Sequence, residues 1–174
     1  MTHHRSFSSI GTARDAEPSG IRPLPNRDWK QFTARDVVSR WDVVELGRRA
    51  TAAAAAVVLD RLAERMPFPV RAISVDNGSE FMAEFETACA ERGIRLFVLP
   101  PRSPKLHGAV ERANRTHTEE FYEVTDAEPE LGAFQVELRA WETVYNTIRP
   151  HQSLGYLTPA EYLASVGIDV YRTY

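Results

Sequence analysis

Two periods organise the hydrophobic pattern after residue 28. Residues 29–36 and 40–46 are β-prone runs parted by a short polar break at Ser39, and Trp41, Val43 and Glu45 alternate with Asp42, Val44 and Leu46. Successive side chains of a strand face opposite ways, so this alternation predicts a β-hairpin. From Thr51 the period changes. Val58, Leu62 and Met66 recur at four-residue steps, which predicts a helix capped by Thr51 and closed by Pro67 and Pro69. Residues 71–75 read as a short buried strand, 80–92 as a second helix stopped by Gly93, and 94–99 as a strand ended by Pro100 and Pro101. A loop over 100–108 leads to a helix starting near Ala109. A last helix, 131–148, places Phe134, Leu138, Trp141, Tyr145 and Ile148 on one stripe, which reads as core. This order is that of an α/β fold.

Residues 1–27 follow neither period. They carry Pro18, Pro23 and Pro25 with scattered serines and glycines, and read as a disordered or unrelated lead-in to one domain over 28–165, followed by a tail over 166–174. The chain of 174 residues, 43% apolar and 26% charged, fits one globular domain. Its longest apolar run, 52–59, is far short of the roughly 20 residues that span a bilayer. With one cysteine, Cys89, and no leader pattern, the expected location is the cytoplasm, with no membrane partner; no small-molecule substrate is expected either.

Net charge of −3 argues against a nucleic-acid partner, but it averages two unlike blocks. Residues 92–117 carry Arg92, Arg95, Arg102, Lys105, Arg112 and Arg115 against Glu111 alone, a local +5. Residues 118–142 carry eight acids against Arg139, a local −7. Either the blocks neutralise each other as solvated helix faces, or the first is an anion-binding stretch.

Candidate chemistry sits at two carboxylates. Asp76 follows a strand directly and is backed by Asn77-Gly78, where open α/β sheets gather ligands. It either caps local backbone or belongs to a site. Glu111 falls in the first turn of a helix, four residues from Arg115, and either pairs with it or faces Asp76. Two carboxylates about 4 Å apart repel by roughly 4 kcal/mol at an effective dielectric near 20, a conflict that a hard divalent cation resolves. Lys105, Arg112 and Arg115 beside them would then hold phosphates.

At these residues the chain resembles a known family. Val75-Asp76-Asn77-Gly78-Ser79-Glu80-Phe81, Ser103-Pro104-Lys105, His107-Gly108-Ala109-Val110-Glu111-Arg112-Ala113-Asn114-Arg115-Thr116, Tyr145-Asn146, Arg149-Pro150-His151 and Leu154-Gly155 with Thr158-Pro159 look like the integrase core of bacterial insertion-sequence transposases. That core is similar to the retroviral integrase catalytic domain. The resemblance implies a ribonuclease-H-like mixed sheet flanked by helices, with its first strand central between the second and fourth. It implies DNA transposition: Mg²⁺- or Mn²⁺-dependent processing of transposon ends and strand transfer, by two-metal chemistry, with DNA as partner and a homo-oligomer assembled on it. It carries metal ligands onto Asp76 and Glu111, and DNA contacts onto Asn77, Lys105, Arg112 and Arg115. The C-terminal signature reads as structural or assembly-related.

One element departs from the family pattern. The resemblance calls for three carboxylates, the first on the first strand, and Asp36 matches a turn aspartate instead. Asp28 is too near it for a separate strand, and Asp15 lies in 13–20, which lacks strand character. The first ligand is therefore expected to be absent and the central strand missing or degenerate, with Pro23 and Pro25 opposing a strand at 21–27. Two functions follow: an active transposase core, or a truncated non-catalytic remnant that binds DNA or an intact transposase.

Overall fold

In a computed structural model of the chain, the described residues are 10–12, 29–49, 51–75, 83–98, 112–126 and 130–170. They contain one sheet of strands β1 (Ile10–Thr12), β2 (Lys30–Arg35), β3 (Asp42–Gly47), β4 (Ala72–Val75) and β5 (Arg95–Val98). Its order is β3-β2-β1-β4-β5. β1 runs antiparallel to β2, with Ile10 opposite Ala34 and Thr12 opposite Phe32, and parallel to β4, with Ile10 opposite Val75. β4 and β5 are parallel. The first strand is thus central, between the second and the fourth. It is short, and it comes from the segment read as a lead-in: three residues without proline satisfy backbone groups that β2 and β4 would otherwise leave open. Pairing of this kind needs no side-chain periodicity, which is why the pattern did not show it.

The helices follow local signals. In α1 (Ala52–Arg65) the Thr51 Oγ1 accepts from the Ala54 amide at 3.2 Å, as expected. α2 (Glu84–Glu91) starts later than the predicted residue 80, because Ala83 adopts φ +49, outside the helical region. It ends at Gly93, φ +65, whose amide bonds to the Ala90 carbonyl while that of Ile94 bonds to Cys89, a Schellman motif. α3, residues 112–117, widens into a π-helical turn at Thr118–Tyr122. α4 (Leu131–Thr147) is capped by the Glu130 carboxylate on the Ala133 amide at 2.9 Å. α5 (Pro159–Ser165) opens on a reciprocal Thr158–Glu161 capping box with Pro159 at its first position, which is what Thr158-Pro159 does here.

The sheet buries both faces differently. Phe32, Ala34 and Val43 join Ile73 and Val75 in one apolar core with Val58, Leu59 and Leu62 of α1, Phe85 and Cys89 of α2, and Leu163 of α5. Burial pushes the Cys89 thiol up to about 11. On the other face Val44 packs with Phe121, Phe134 and Leu138, and Trp29, Phe121 and Phe134 meet edge-on at ring separations of 5.4 Å. The expected stripe of α4 holds for Phe134, Leu138 and Tyr145, whereas Ile148, just past the helix, is 67% exposed.

β3 is an edge strand, and α4 closes it with side chains. The outward backbone groups belong to every second residue, 42, 44 and 46. The Asp42 amide donates to Asn146 Oδ1 at 2.9 Å and its carbonyl accepts from Asn146 Nδ2 at 2.7 Å. The Val44 amide donates to Glu142 Oε2 and the Leu46 amide to Gln135 Oε1, both at 2.6 Å. Four residues of helix advance about 6 Å, close to the two-residue step of a strand, so Glu142 and Asn146 match Val44 and Asp42. From the other layer Arg65 of α1 reaches round the edge to the Val44 carbonyl at 3.1 Å, Glu45 at 2.9 Å and Glu142 at 3.3 Å.

Burial pushes the Glu142 carboxyl up to about 7, although Arg65 and the Val44 amide favour its charged form. A group whose value rises above its ordinary 4.5 on folding favours the fold while protonated, a contribution complete below about pH 4.5 and lost as the pH rises through about 7. Glu142→Gln keeps an acceptor for the Val44 amide and stays neutral. Relative to the parent chain it is expected to gain up to about 3 kcal/mol between about pH 5 and pH 8, read from urea melts at both values. A difference between the two chains that does not move with pH would remove this assignment.

Candidate nucleic-acid interface

Of the site residues read from sequence, Asp76, Asn77, Lys105 and Glu111 lie outside the described residues. Their sequence neighbours are placed: Asp76 follows the last residue of β4, and Glu111 directly precedes α3. Arg112 and Arg115 are exposed on α3. Arg115 Nε donates to Glu119 Oε1 at 2.7 Å, one turn on, which raises its pKa. Exposed pairs of this kind are weak and exchangeable. Among the described residues Arg112 has no ion pair.

What fixes α3 is a buried polar row. Residues 31, 33 and 35 of β2 and 42 of β3 point to one face of the sheet, and all four are buried. Asn114 Oδ1 accepts from Thr33 Oγ1 at 2.8 Å and from Gln31 Nε2 at 3.2 Å. His117, fully buried, accepts at Nδ1 from Gln31 Nε2 at 2.9 Å, so its Nε2–H donates to Asp42 Oδ2 at 3.0 Å. Tyr122 donates to Gln31 Oε1. Arg35 grips Asp42 with two bonds of 2.6 Å and also donates to Tyr145. Burial opposes the charged Asp42, but Arg35 and His117 outweigh it and hold the carboxyl below its usual range. Sequence reasoning missed Gln31, Thr33, Asn114 and His117, whose only signal was polar residues at alternate positions of a predicted strand.

The C-terminal signature serves the same face. The Tyr145 ring lies between Arg35 and Arg149, whose guanidinium carbons are 5.6 and 5.4 Å from its centroid. Arg149 pairs with Glu120 through both guanidinium arms. His151 stacks edge-on against Tyr145 at 4.8 Å and bridges to Leu157. Asp36 takes the turn role read from sequence: its Oδ2 accepts from the Ser39 amide at 2.9 Å and the Ser39 hydroxyl at 2.6 Å.

The donor set for a metal is incomplete among the described residues. β1 reads Ile-Gly-Thr and supplies no carboxylate, and among the described residues no three His, Cys, Asp or Glu side chains are grouped to hold an ion. The three-carboxylate set is therefore not met there.

The strand order and the flanking helices define the class of fold, an α/β fold with a ribonuclease-H-like sheet. The crystal structure of the catalytic core domain of BIV integrase superposes with a TM-score of 0.68 at 23% identity, covering 93% of this chain and 95% of that one. Residues 92–159 match the family model described as Integrase core domain. The "Insertion element IS476 uncharacterized 39.2 kDa protein" of Xanthomonas euvesicatoria is 30% identical over 123 residues, 67% of this chain and 32% of that protein. The chain thus spans about a third of the length of that relative. Residues 92–159 thus match the family that the motifs implied. No helix among the described residues is long and apolar enough to cross a membrane.

Removing the carboxylate that Arg35 pairs with is expected to unlatch this face. Breaking a buried pair from one side costs about 3–5 kcal/mol, so Asp42→Asn should lower the free energy of unfolding by about that much in urea. A loss below about 1 kcal/mol would mean that Asp42 is not the anchor described.

Proposed function

We propose that this chain serves DNA transposition as a DNA-engaging integrase core and that its strand-transfer chemistry is incomplete. The observation that carries this reading is β1: the central strand, where the resemblance calls for the first metal-binding carboxylate, is Ile10-Gly11-Thr12. Asp76 and Glu111 remain as the two candidate ligands for Mg²⁺ or Mn²⁺, an ion that would supply activation of the attacking oxygen and stabilisation of the leaving one. Lys105, Arg112, Arg115 and Asn77 are the proposed DNA contacts, and a homo-oligomer on DNA is the proposed working form. A second reading, a fully active core, is favoured by one feature: Asp15 stands three residues after β1 in sequence.

Strand transfer separates the two. The purified chain, given Mg²⁺ and terminal DNA of its element, is expected to bind DNA with little or no joining. Robust joining that Asp76→Ala and Glu111→Ala each abolish would establish the active reading instead. On the binding side, Lys105→Ala is expected to weaken DNA affinity and reduce the slope of log K against log salt by about 0.9, as for one lost phosphate contact. An unchanged slope would take Lys105 off the interface.

A further inference from the structure

Four of the five strands described share one direction. β3 runs antiparallel to β2, β2 antiparallel to β1, and β1, β4 and β5 are parallel. β3 therefore runs with β1, β4 and β5, and the carboxyl ends of all four lie at one end of the sheet, where open α/β sheets gather ligands. Asp76 follows β4 at that end. At the same end β3 gives way to Arg48 and Arg49, and β2 begins at Lys30.

Three cations meet at this corner. Lys30 lies directly opposite Gly47 in the antiparallel register, at the roughly 5 Å spacing of such pairs. The chain folds closely at Gly47: a Cβ there would stand 3.2 Å from the Phe32 ring and 3.6 Å from the Arg49 carbonyl. Arg48 and Arg49 are thus held beside the start of β2, both exposed, with Lys30 half-buried. The acids toward this corner are engaged. Glu45 of β3 pairs with Arg65 at 2.9 Å and with Arg139 at 3.3 Å. Glu130 caps α4; the Ala133 and Gly132 amides lower its pKa, the charge of Arg48 adds less, and no ion pair joins the two. None of Lys30, Arg48 and Arg49 makes an ion pair among the described residues. No large exposed apolar side chain belongs to 29–31, 46–49 or 51–56, so the corner lacks the apolar centre of a protein–protein contact.

We propose that Lys30, Arg48 and Arg49 form a phosphate-binding corner for the DNA backbone, a reading that rests on the DNA-engaging function above. β3 and β4 stand three places apart in the sheet, about 14 Å at about 4.8 Å per step. Over that length one strand of a duplex carries about four phosphates. A DNA strand that leaves the end of β4 across the sheet end thus reaches the corner within about four nucleotides. The corner supplies affinity and alignment, and it reads backbone charge without reading sequence.

Arg48→Ala, Arg49→Ala and Lys30→Gln test the corner in the full chain. Arg61→Ala is the control: it removes the same charge from an exposed ion pair with Glu64, about 14 Å along α1 from its start. All four are expected to melt within about 2 °C of the parent. Binding to a labelled duplex is titrated between about 50 and 200 mM salt. Each corner variant is expected to weaken it about fivefold to tenfold at about 0.1 M and to reduce the slope of log K against log salt by about 0.9. Arg61→Ala should stay within about twofold of the parent. Unchanged affinity and slope in the corner variants, with both reduced in Lys105→Ala, overturn the corner and leave the DNA-engaging function standing. Equal losses in Arg61→Ala also overturn the corner, since net charge would then explain them. Self-association that the corner variants abolish without changing DNA affinity assigns the corner to an acidic face of a second copy and overturns the proposal. A parent chain that binds no duplex overturns the DNA-engaging function and the corner with it.

Discussion

Asp42 ties four elements together. It sits on β3, its carboxylate takes two bonds from Arg35 of β2 and one from His117 of α3, and its backbone exchanges two bonds with Asn146 of α4. A charge with no solvent access survives only where every acceptor is used, and this one survives because three elements converge on it. The position of α3, and with it Arg112 and the start of the chain leading back to Glu111, depends on that convergence. The face that carries α3 is therefore set by polar contacts beside a small apolar cluster, while the opposite face is set by ordinary apolar packing.

That division explains what the amino-acid order revealed. The hairpin, the α1 helix with its Thr51 cap, the β4 and β5 strands and the Gly93 stop were legible because apolar period and capping chemistry act locally. The polar row of Gln31, Thr33 and Arg35 gave no sign of its burial, since alternation distinguishes the two sides of a strand but not what covers each. β1 was invisible for a different reason: a three-residue strand held by its neighbours' backbone leaves no period to detect. The catalytic motifs were legible as a resemblance, yet Asp76 and Glu111 belong to stretches outside the described residues, so their juxtaposition stays a proposal. The C-terminal signature was legible as a motif and opaque as physics until Tyr145, Asn146 and Arg149 were seen to brace α3 and β3.

Charge follows the same logic. The acidic block after residue 117 does not cancel the basic one before it. Glu120 serves Arg149, Glu142 serves β3 and Arg65, and Glu130 caps α4; among the described residues only Glu119 turns back to the basic block, at Arg115. Three of the eight acids thus have structural duties, and Arg112 on α3 has no ion pair among the described residues. Net charge was a poor guide because the two signs do different work.

Sealing the outer side of β3 has a consequence for assembly. A sheet grows by accepting strands at its two margins, and here one margin is stoppered by Gln135, Glu142 and Asn146. The opposite margin is β5, with Phe97 and Val98 about half exposed. Association margin to margin can then join two copies through β5 and must stop there, because each copy presents a closed outer strand to any third. Open-ended growth strand by strand is thereby blocked at β3.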